Sequence, residues 1–273
     1  MVHWFLSCLN GLLLIFERGR YEMDQIKIMT YNMLHIDDNP ENNWQKRREL
    51  IRNIIDRESP DIIGTQECLY IQIQDLLQFL PDYDWIGLGR QGGSKDDFMA
   101  IFYKKDQFSI IEYDHFWLSN TPNIIGSMTY GNEIPRMVTW AKFLDKRNGQ
   151  VFYHMNTHLD YICEKARILG AQQISEKLNE LDPKLPVFLT GDFNTDAHTE
   201  PYNILTQPGL FRDTWDHAKK HVNKNLGTKN DFIYSDGGDQ RIDWILARAE
   251  IDIQWIKIVD DCINGSFPSD HFP

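Results

Sequence analysis

The sequence predicts an α/β fold in which two mainly antiparallel β-sheets pack face to face with helices outside, a four-layer α/β sandwich. Three observations predict it. Helical segments separate strand-like ones in each half of the chain, and the stretch between Tyr83 and Gln150 reads as successive strands. No repeat, low-complexity linker or composition shift divides the chain after residue 23. With 273 residues, 42% of them apolar, the chain is long enough to bury one large core.

Each element has its own signal. Residues 25–30 alternate Ile26 and Ile28 inward with Lys27 outward, a strand pattern. Residues 44–57 gather Leu50, Ile51, Ile54 and Ile55 on one side and Arg47, Arg48, Arg52 and Arg57 on the other, an amphipathic helix ended by Ser59-Pro60. A short buried strand over 61–66 and a helix over 71–80, stopped by Pro81, complete a β-α-β-α opening. Strands follow at 85–86, 99–103, 108–118 and 137–144, and Asn148-Gly149 marks a hairpin into a strand over 151–156. A long helix over 161–181 places Ile162, Ala166, Leu169 and Leu178 near one face. The apolar run 185–189, a short helix near 202–205 and strands at 242–247 and 251–258 finish the order.

Bulk properties narrow the function. Twenty-eight Lys and Arg stand against 40 Asp and Glu, a net charge of −12 that disfavours non-specific gripping of a nucleic-acid backbone. Cys8, Cys68, Cys163 and Cys262 form no Cys-x-x-Cys pair, so neither a zinc ribbon nor a disulfide framework is indicated; free thiols and a cytoplasmic location are expected. Residues 4–16 are apolar apart from Ser7, Asn10 and Gly11, but fall short of the roughly 20 residues that span a bilayer. No Lys or Arg precedes them and Glu17-Arg18-Gly19-Arg20 follows, the wrong flanks for a secretory signal. Residues 1–22 therefore read as a hydrophobic extension before an alternative start at Met23, with 23–273 as the domain. Membrane anchoring or secretion through residues 4–16 is the competing reading.

Chemistry-bearing pairs recur at the ends of strand-like segments. Thr190-Gly191-Asp192-Phe193-Asn194 follows a buried run, and Tyr31-Asn32, Gln66-Glu67, Asn156-Thr157-His158, Arg241-Ile242-Asp243 and Ser269-Asp270-His271 accompany it in order. Singly, each is ordinary: an Asp-x-Asn after a strand is often a turn or a cap. Together, in this order, they resemble the endonuclease/exonuclease/phosphatase superfamily, with its DNase I-like fold shared by abasic-site endonucleases, inositol polyphosphate 5-phosphatases and bacterial sphingomyelinases. The resemblance runs from Ile26 to the end of the chain.

What the resemblance implies is a Mg²⁺- or Mn²⁺-dependent phosphoesterase. Glu67 would be the principal metal ligand, assisted by Asn32 and Asp270. Asp192 would orient or deprotonate the attacking water, with Asn194 helping to hold it and the phosphate. His271 would contact the scissile phosphate, its tautomer fixed by Asp243, and His158 would bind a phosphoryl oxygen or protonate the leaving group. Arg136, just ahead of a strand, is a candidate phosphate clamp, although a guanidinium there equally suits a structural acid. Hard oxygen donors suit these cations.

Three other patterns carry no chemistry. Gly87-Leu88-Gly89-Arg90-Gln91-Gly92 matches a phosphate-cradling spacing, but no helix follows it, and it reads as a mobile loop. His154 and His158 lie on a strand, where four residues span about 13 Å and cannot share an ion. Asp37-Asp38-Asn39 lacks the glycine and terminal Glu of a calcium loop. Two positions depart from relatives: Leu34 stands where abasic-site endonucleases carry an acid, and the chain stops at His271-Phe272-Pro273, so a loosely held His271 or an exposed sheet edge is expected. The phosphate-ester substrate is expected to be small or soluble, nucleic acid being disfavoured by charge. The protein is expected to be a monomer without a stable membrane partner. The competing classes are a DNA or RNA nuclease and a binding module of the same fold that has lost catalysis. Residues 91–97 and 120–135 are the loops placed to choose a leaving group.

Overall fold

Side chains alternate between the two faces of a strand, and this period of two builds the architecture. The computed structural model describes residues 25–36, 42–248, 251–263 and 265–273. The extension over 1–22 and the Asp37-Asp38-Asn39 segment lie outside the described residues.

The first sheet has the order β1 (Ile28–Asn32), β2 (Ile62–Gln66), β4 (Ile101–Lys104), β3 (Tyr83–Ile86), with β1 and β2 parallel and the other neighbours antiparallel. The second runs β5 (Phe108–Trp117), β6 (Met137–Asp145), β7 (Val151–His158), β8 (Val187–Asp192), β11 (Asp243–Arg248), β9 (Arg212–Asp213), antiparallel except for β7 beside β8. A small parallel ribbon pairs β10 (His221–Val222) with β12 (Ile256–Lys257).

Helices cover the outer faces. Ile51, Ile54 and Ile55 of α1 (Trp44–Glu58) and Ile73 and Leu76 of α2 (Tyr70–Phe79) pack on Tyr31, Ile63 and Phe102 of the first sheet. Ile174 and Leu178 of α3 (Glu164–Glu180) and Tyr202 and Leu205 of α4 (Glu200–Leu205) pack on Met155, Leu189 and Trp244 of the second. The opposite parity faces inward: Ile62, Ile101, Phe143 and Phe152 form the apolar half of the seam between sheets. The other half of that seam is polar. Gln66 Nε2 donates to Asn156 Oδ1 at 2.7 Å, Asn156 Nδ2 donates to the carbonyls of Thr65 and Ala100, and His154 Nε2 lies 3.0 Å from Thr190 Oγ1. These bonds satisfy buried polar groups and fix one sheet over the other.

Three expectations are corrected, and three short elements had none. The strand over 251–258 shrinks to Ile256–Lys257, because residues 251–255 make no ladder. The long helix begins at Glu164: Asp160 Oδ1 accepts from the amides of Ile162 and Cys163, holding 160–163 as a turn and leaving Ile162 exposed. Arg47 is buried, where the helical pattern placed it on the solvated side. Its guanidinium donates to the carbonyls of Met33, Leu34, His35, Asn42 and Pro268. Finally, α5 (Thr214–His217), β9 and β10 are too short to announce themselves in a pattern.

Candidate active site

The inward parity that packs the seam also carries the reactive residues to its rim. Asn32 and Gln66 are register partners at the ends of parallel β1 and β2. His158 and Asp192 are partners at the ends of parallel β7 and β8, and Asp243 opens β11 directly opposite Asp192. Asn32 bridges the two sheets, its Nδ2 donating to Asp192 Oδ2 at 2.9 Å and to Glu67 Oε1 at 3.0 Å, while its Oδ1 accepts from the Leu34 amide. Leu34, Glu67 and Asn194 turn the chain away from the strand ends with φ of 50°, 62° and 49°. Such left-handed conformations are costly for residues with a Cβ and recur where a site demands them.

His271 comes from the end of the chain and is firmly held, contrary to the sequence expectation. Ser269 Oγ donates to the Asn32 carbonyl at 2.7 Å, the Phe272 amide donates to the Thr228 carbonyl at 2.7 Å, and Phe272 is buried. His271 Nδ1 lies 2.9 Å from Asp243 Oδ2, and its Nε2 points at Asp192 Oδ2, 3.7 Å away. Asp192 is thus a hub. Its Oδ1 accepts from the Asn194 amide at 2.9 Å, and His158 Nε2 lies 3.4 Å from its Oδ2. Asn194 Nδ2 in turn lies 2.8 Å from His158 Nε2.

Burial acts alike on the two imidazoles, which neighbouring charges set apart. It would lower both, but Asp243 and Asp192 raise His271 to about 10, whereas around His158 the charges of Arg136 and Arg90 add to burial and hold it well below the ordinary range, against Glu67. His271 is therefore an imidazolium and His158 a neutral ring at pH 7. Burial, with Asp243, lifts Asp192 to about 6 against the opposing pull of His271 and Asn32. Glu67 is held below the usual carboxylate range: burial would raise it, but the hydrogen bonds of His35 and Asn32 and the charge of the His271 imidazolium outweigh burial.

These residues floor a cleft of about 300 Å³ lined also by Leu34, His35, Arg90, Asp97, Ile134 and Tyr161. Of the three expected metal ligands, Glu67 presents its carboxylate to the cleft, and Asp270 stands at the edge, 3.9 Å from Lys229 Nζ and 4.0 Å from His271 Nε2. Asn32, expected as a ligand, is fully buried, with its amide nitrogen on Glu67 and Asp192 and its oxygen on the Leu34 amide. The ligand atoms of Glu67, His158 and Asp192 lie within 4.8 Å of one another, as do those of Asp192, Asp243 and His271. Asp270 is raised by burial and by the nearby Glu67, a repulsion that a cation between the two would relieve. No thiolate lines the cleft, so this oxygen-rich donor set fits a hard divalent cation.

Arg136 pairs with a structural acid, its Nε lying 3.4 Å from Asp160 Oδ2, while its Nη1 is buried and without a partner among the described residues. The sequence reading missed His35, whose Nδ1 is 3.2 Å from Glu67 Oε2, and Lys229. It also missed Arg90, and the glycine-rich loop taken as mobile is tied down. The Arg90 amide donates to the Asp97 carbonyl, the Arg90 carbonyl accepts from Trp117 Nε1, and its Nη2 pairs with Asp96 and Asp97 at 2.6 and 3.0 Å. Only the glycine spacing hinted at this loop.

Comparison with known proteins agrees with this geometry. Residues 29–271 match the endonuclease/exonuclease/phosphatase family. The chain belongs to that family. Its members are phosphatases and nucleases, hydrolases of phosphate esters that generally use divalent metals. The mannosyl-6-phosphatase of Bacteroides thetaiotaomicron is similar at 32% identity and a TM-score of 0.86, over 91% of this chain and 97% of that one. An uncharacterised protein of Acanthamoeba polyphaga mimivirus is 30% identical over 84% of this chain and 90% of its own length. The 3′-5′-exoribonuclease subunit of the CCR4-Not complex of Saccharomyces cerevisiae is 21% identical over 84% of this chain and 34% of that protein. Among the described residues, no helix is long and apolar enough to cross a membrane.

Proposed function

We propose that this protein is a Mg²⁺- or Mn²⁺-dependent phosphoesterase acting on small phosphate esters. The observation that carries the reading is the convergence on Asp192 Oδ2 of Asn32 from the first sheet, His158 from the second and His271 from the chain end. Glu67 and Asp270 would hold the cation, with Asn32 orienting Glu67. When bound, the cation supplies charge neutralisation at the phosphoryl oxygens.

The chain's own residues divide the remaining work. Asp192, ionised above about 6 and fixed by Asn32 and Asn194, accepts a proton from the attacking water. The water oxygen bonds phosphorus as the ester P–O bond breaks, its electron pair leaving on the alcohol oxygen, which takes up a proton from solvent. His271, kept charged by Asp243, faces the phosphoryl oxygens as a cationic donor. Asn194 Nδ2, donating to the Leu159 carbonyl and to Nε2 of the neutral His158 ring, orients that ring beside it. Its depressed basicity argues against His158 protonating the leaving group. Arg136 supplies a further cation from the floor.

The net charge of −12 and the likeness to a mannosyl-6-phosphatase favour a small ester over a nucleic acid. The likeness to an exoribonuclease subunit keeps RNA or DNA cleavage as the second reading. A binding module without catalysis is opposed by competent side chains at every mapped position. The deciding experiment compares kcat/KM for sugar, inositol and lipid-headgroup phosphates, RNA, plasmid DNA and an abasic oligonucleotide at one salt concentration, with Mg²⁺, with Mn²⁺ and with a chelator. Turnover of the small esters that vanishes with the chelator is expected. Efficient, salt-sensitive cleavage of a nucleic acid with feeble turnover of the small esters would reverse the ranking.

A further inference from the structure

We infer that Arg90 and Arg136 make this cleft selective for phosphate monoesters over diesters, an inference that rests on the phosphoesterase reading above. Both guanidinium groups line the same cleft as His158, Asp192 and His271. They arrive from different sheets: Arg90 from the loop after β3, fastened through Trp117, and Arg136 from the segment entering β6, whose Met137 is the register partner of Trp117.

Each arginine pairs with acidic neighbours yet keeps a buried donor free of a hydrogen-bond partner among the described residues. Arg136 is buried and touches Asp160 through Nε alone, at 3.4 Å, leaving Nη1 buried and unpartnered among the described residues. Arg90 places Nη2 on Asp96 and Asp97, and its Nε likewise has no partner. An unsatisfied cationic donor in a buried position is costly unless a ligand completes it. The two charges also repel each other, since Arg90, after burial, is what most lowers Arg136, and both depress His158. An anion between them removes that repulsion.

The number of charges on the ester then decides. A monoester is a dianion with three terminal oxygens and one substituent; a diester carries one charge, two terminal oxygens and two substituents. One substituent can leave through the open side of the cleft, beside the exposed ring of Tyr161. The second substituent of a diester would put carbon where two guanidinium groups converge, leaving their donors unpaired. Guanidinium pairs bind terminal phosphate oxygens as charge-assisted donors. On a monoester, the hydrolysis described above releases the alcohol and inorganic phosphate.

The test uses p-nitrophenyl phosphate and methyl p-nitrophenyl phosphate, which share a leaving group and differ by one methyl ester. With the full chain and Mg²⁺, kcat/KM should favour the monoester at least about 10-fold, and Arg136→Gln and Arg90→Gln should each lower the monoester value by about 10- to 100-fold and the methyl ester by at least about 3-fold less, so that the preference shrinks. Arg136→Lys, which keeps charge and loses the fork, should fall between. Because Arg90 also anchors Asp96 and Asp97, Arg90→Lys decides by the same ratio if the Gln variant unfolds early. A wild-type preference for the methyl ester, or an equal loss on both esters in variants with unchanged unfolding temperature, overturns the inference while leaving the phosphoesterase reading intact. Turnover of neither ester, nor of any substrate in the wider panel, overturns that reading and this inference with it.

Discussion

At the scale of single residues, the proposed mechanism relies on three titratable groups at unlike protonation. In it Asp192 serves as a base only when ionised, so activity should fall as pH drops below about 6; His271 serves as a cation only when protonated, so activity should fall again above about 10. A bell-shaped kcat/KM profile with a plateau between those limits is expected. Asp243→Asn removes the carboxylate that sustains His271, so the alkaline limb should move down by about a unit or more while the acid limb moves little. A profile whose alkaline limb stays in place would detach Asp243 from that role. Asp192→Asn and His271→Ala should each cut turnover by on the order of 10² to 10⁴, and the double variant should lose far less than the product, because the pair acts as one unit. The strand-end pairs were legible in the sequence because carboxylates and imidazoles interrupt apolar runs there. His35, Arg90 and Lys229 were not, since nothing local distinguishes a cation that lines a cleft from one in solvent.

At the scale of elements, the alternation of apolar residues disclosed the strands and the 3.6-residue period the first helices. The same period misread Arg47, because a helical wheel reports amphipathy and knows nothing of carbonyls brought from elsewhere in the chain. Its donors join α1 to the loop carrying His35 and to Pro268, just ahead of Ser269-Asp270-His271. Arg47→Met should therefore cost on the order of 3 kcal/mol in denaturant unfolding, and Arg47→Lys somewhat less, with turnover falling beyond what lost stability explains. Unchanged stability in the Met variant would assign those bonds no net weight. Gly64 has a different task. A Cβ there would collide with Thr190 Oγ1 and come within 2.7 Å of Asn156 Oδ1, both inside the seam. Gly64→Ala should destabilise by about 1–3 kcal/mol and depress turnover, to be checked by thermal unfolding alongside a steady-state assay.

At the scale of the whole molecule, the seam between sheets is apolar at one end and hydrogen-bonded at the other, and its buried imidazole gives it a pH signature. Burial lowers His154 from 6.5 to about 3. The unfolded chain therefore takes up this proton first, so the stability present above 6.5 drains away as pH falls towards 3, by at most about 1.4 kcal/mol per pH unit from this one group. Denaturant unfolding across that window should show the slope, and His154→Gln should flatten it; identical slopes would put the proton elsewhere. That polar half of the seam has a further meaning for how the enzyme fails. Asn32 and Glu67 hang from one sheet, His158, Asp192 and Asp243 from the other. Catalysis is thus a gauge of alignment between two slabs, and a slip of one past the other silences the protein while every strand still keeps its neighbours. A phosphate gripped from both sides acts in the opposite sense, as a rivet through the joint.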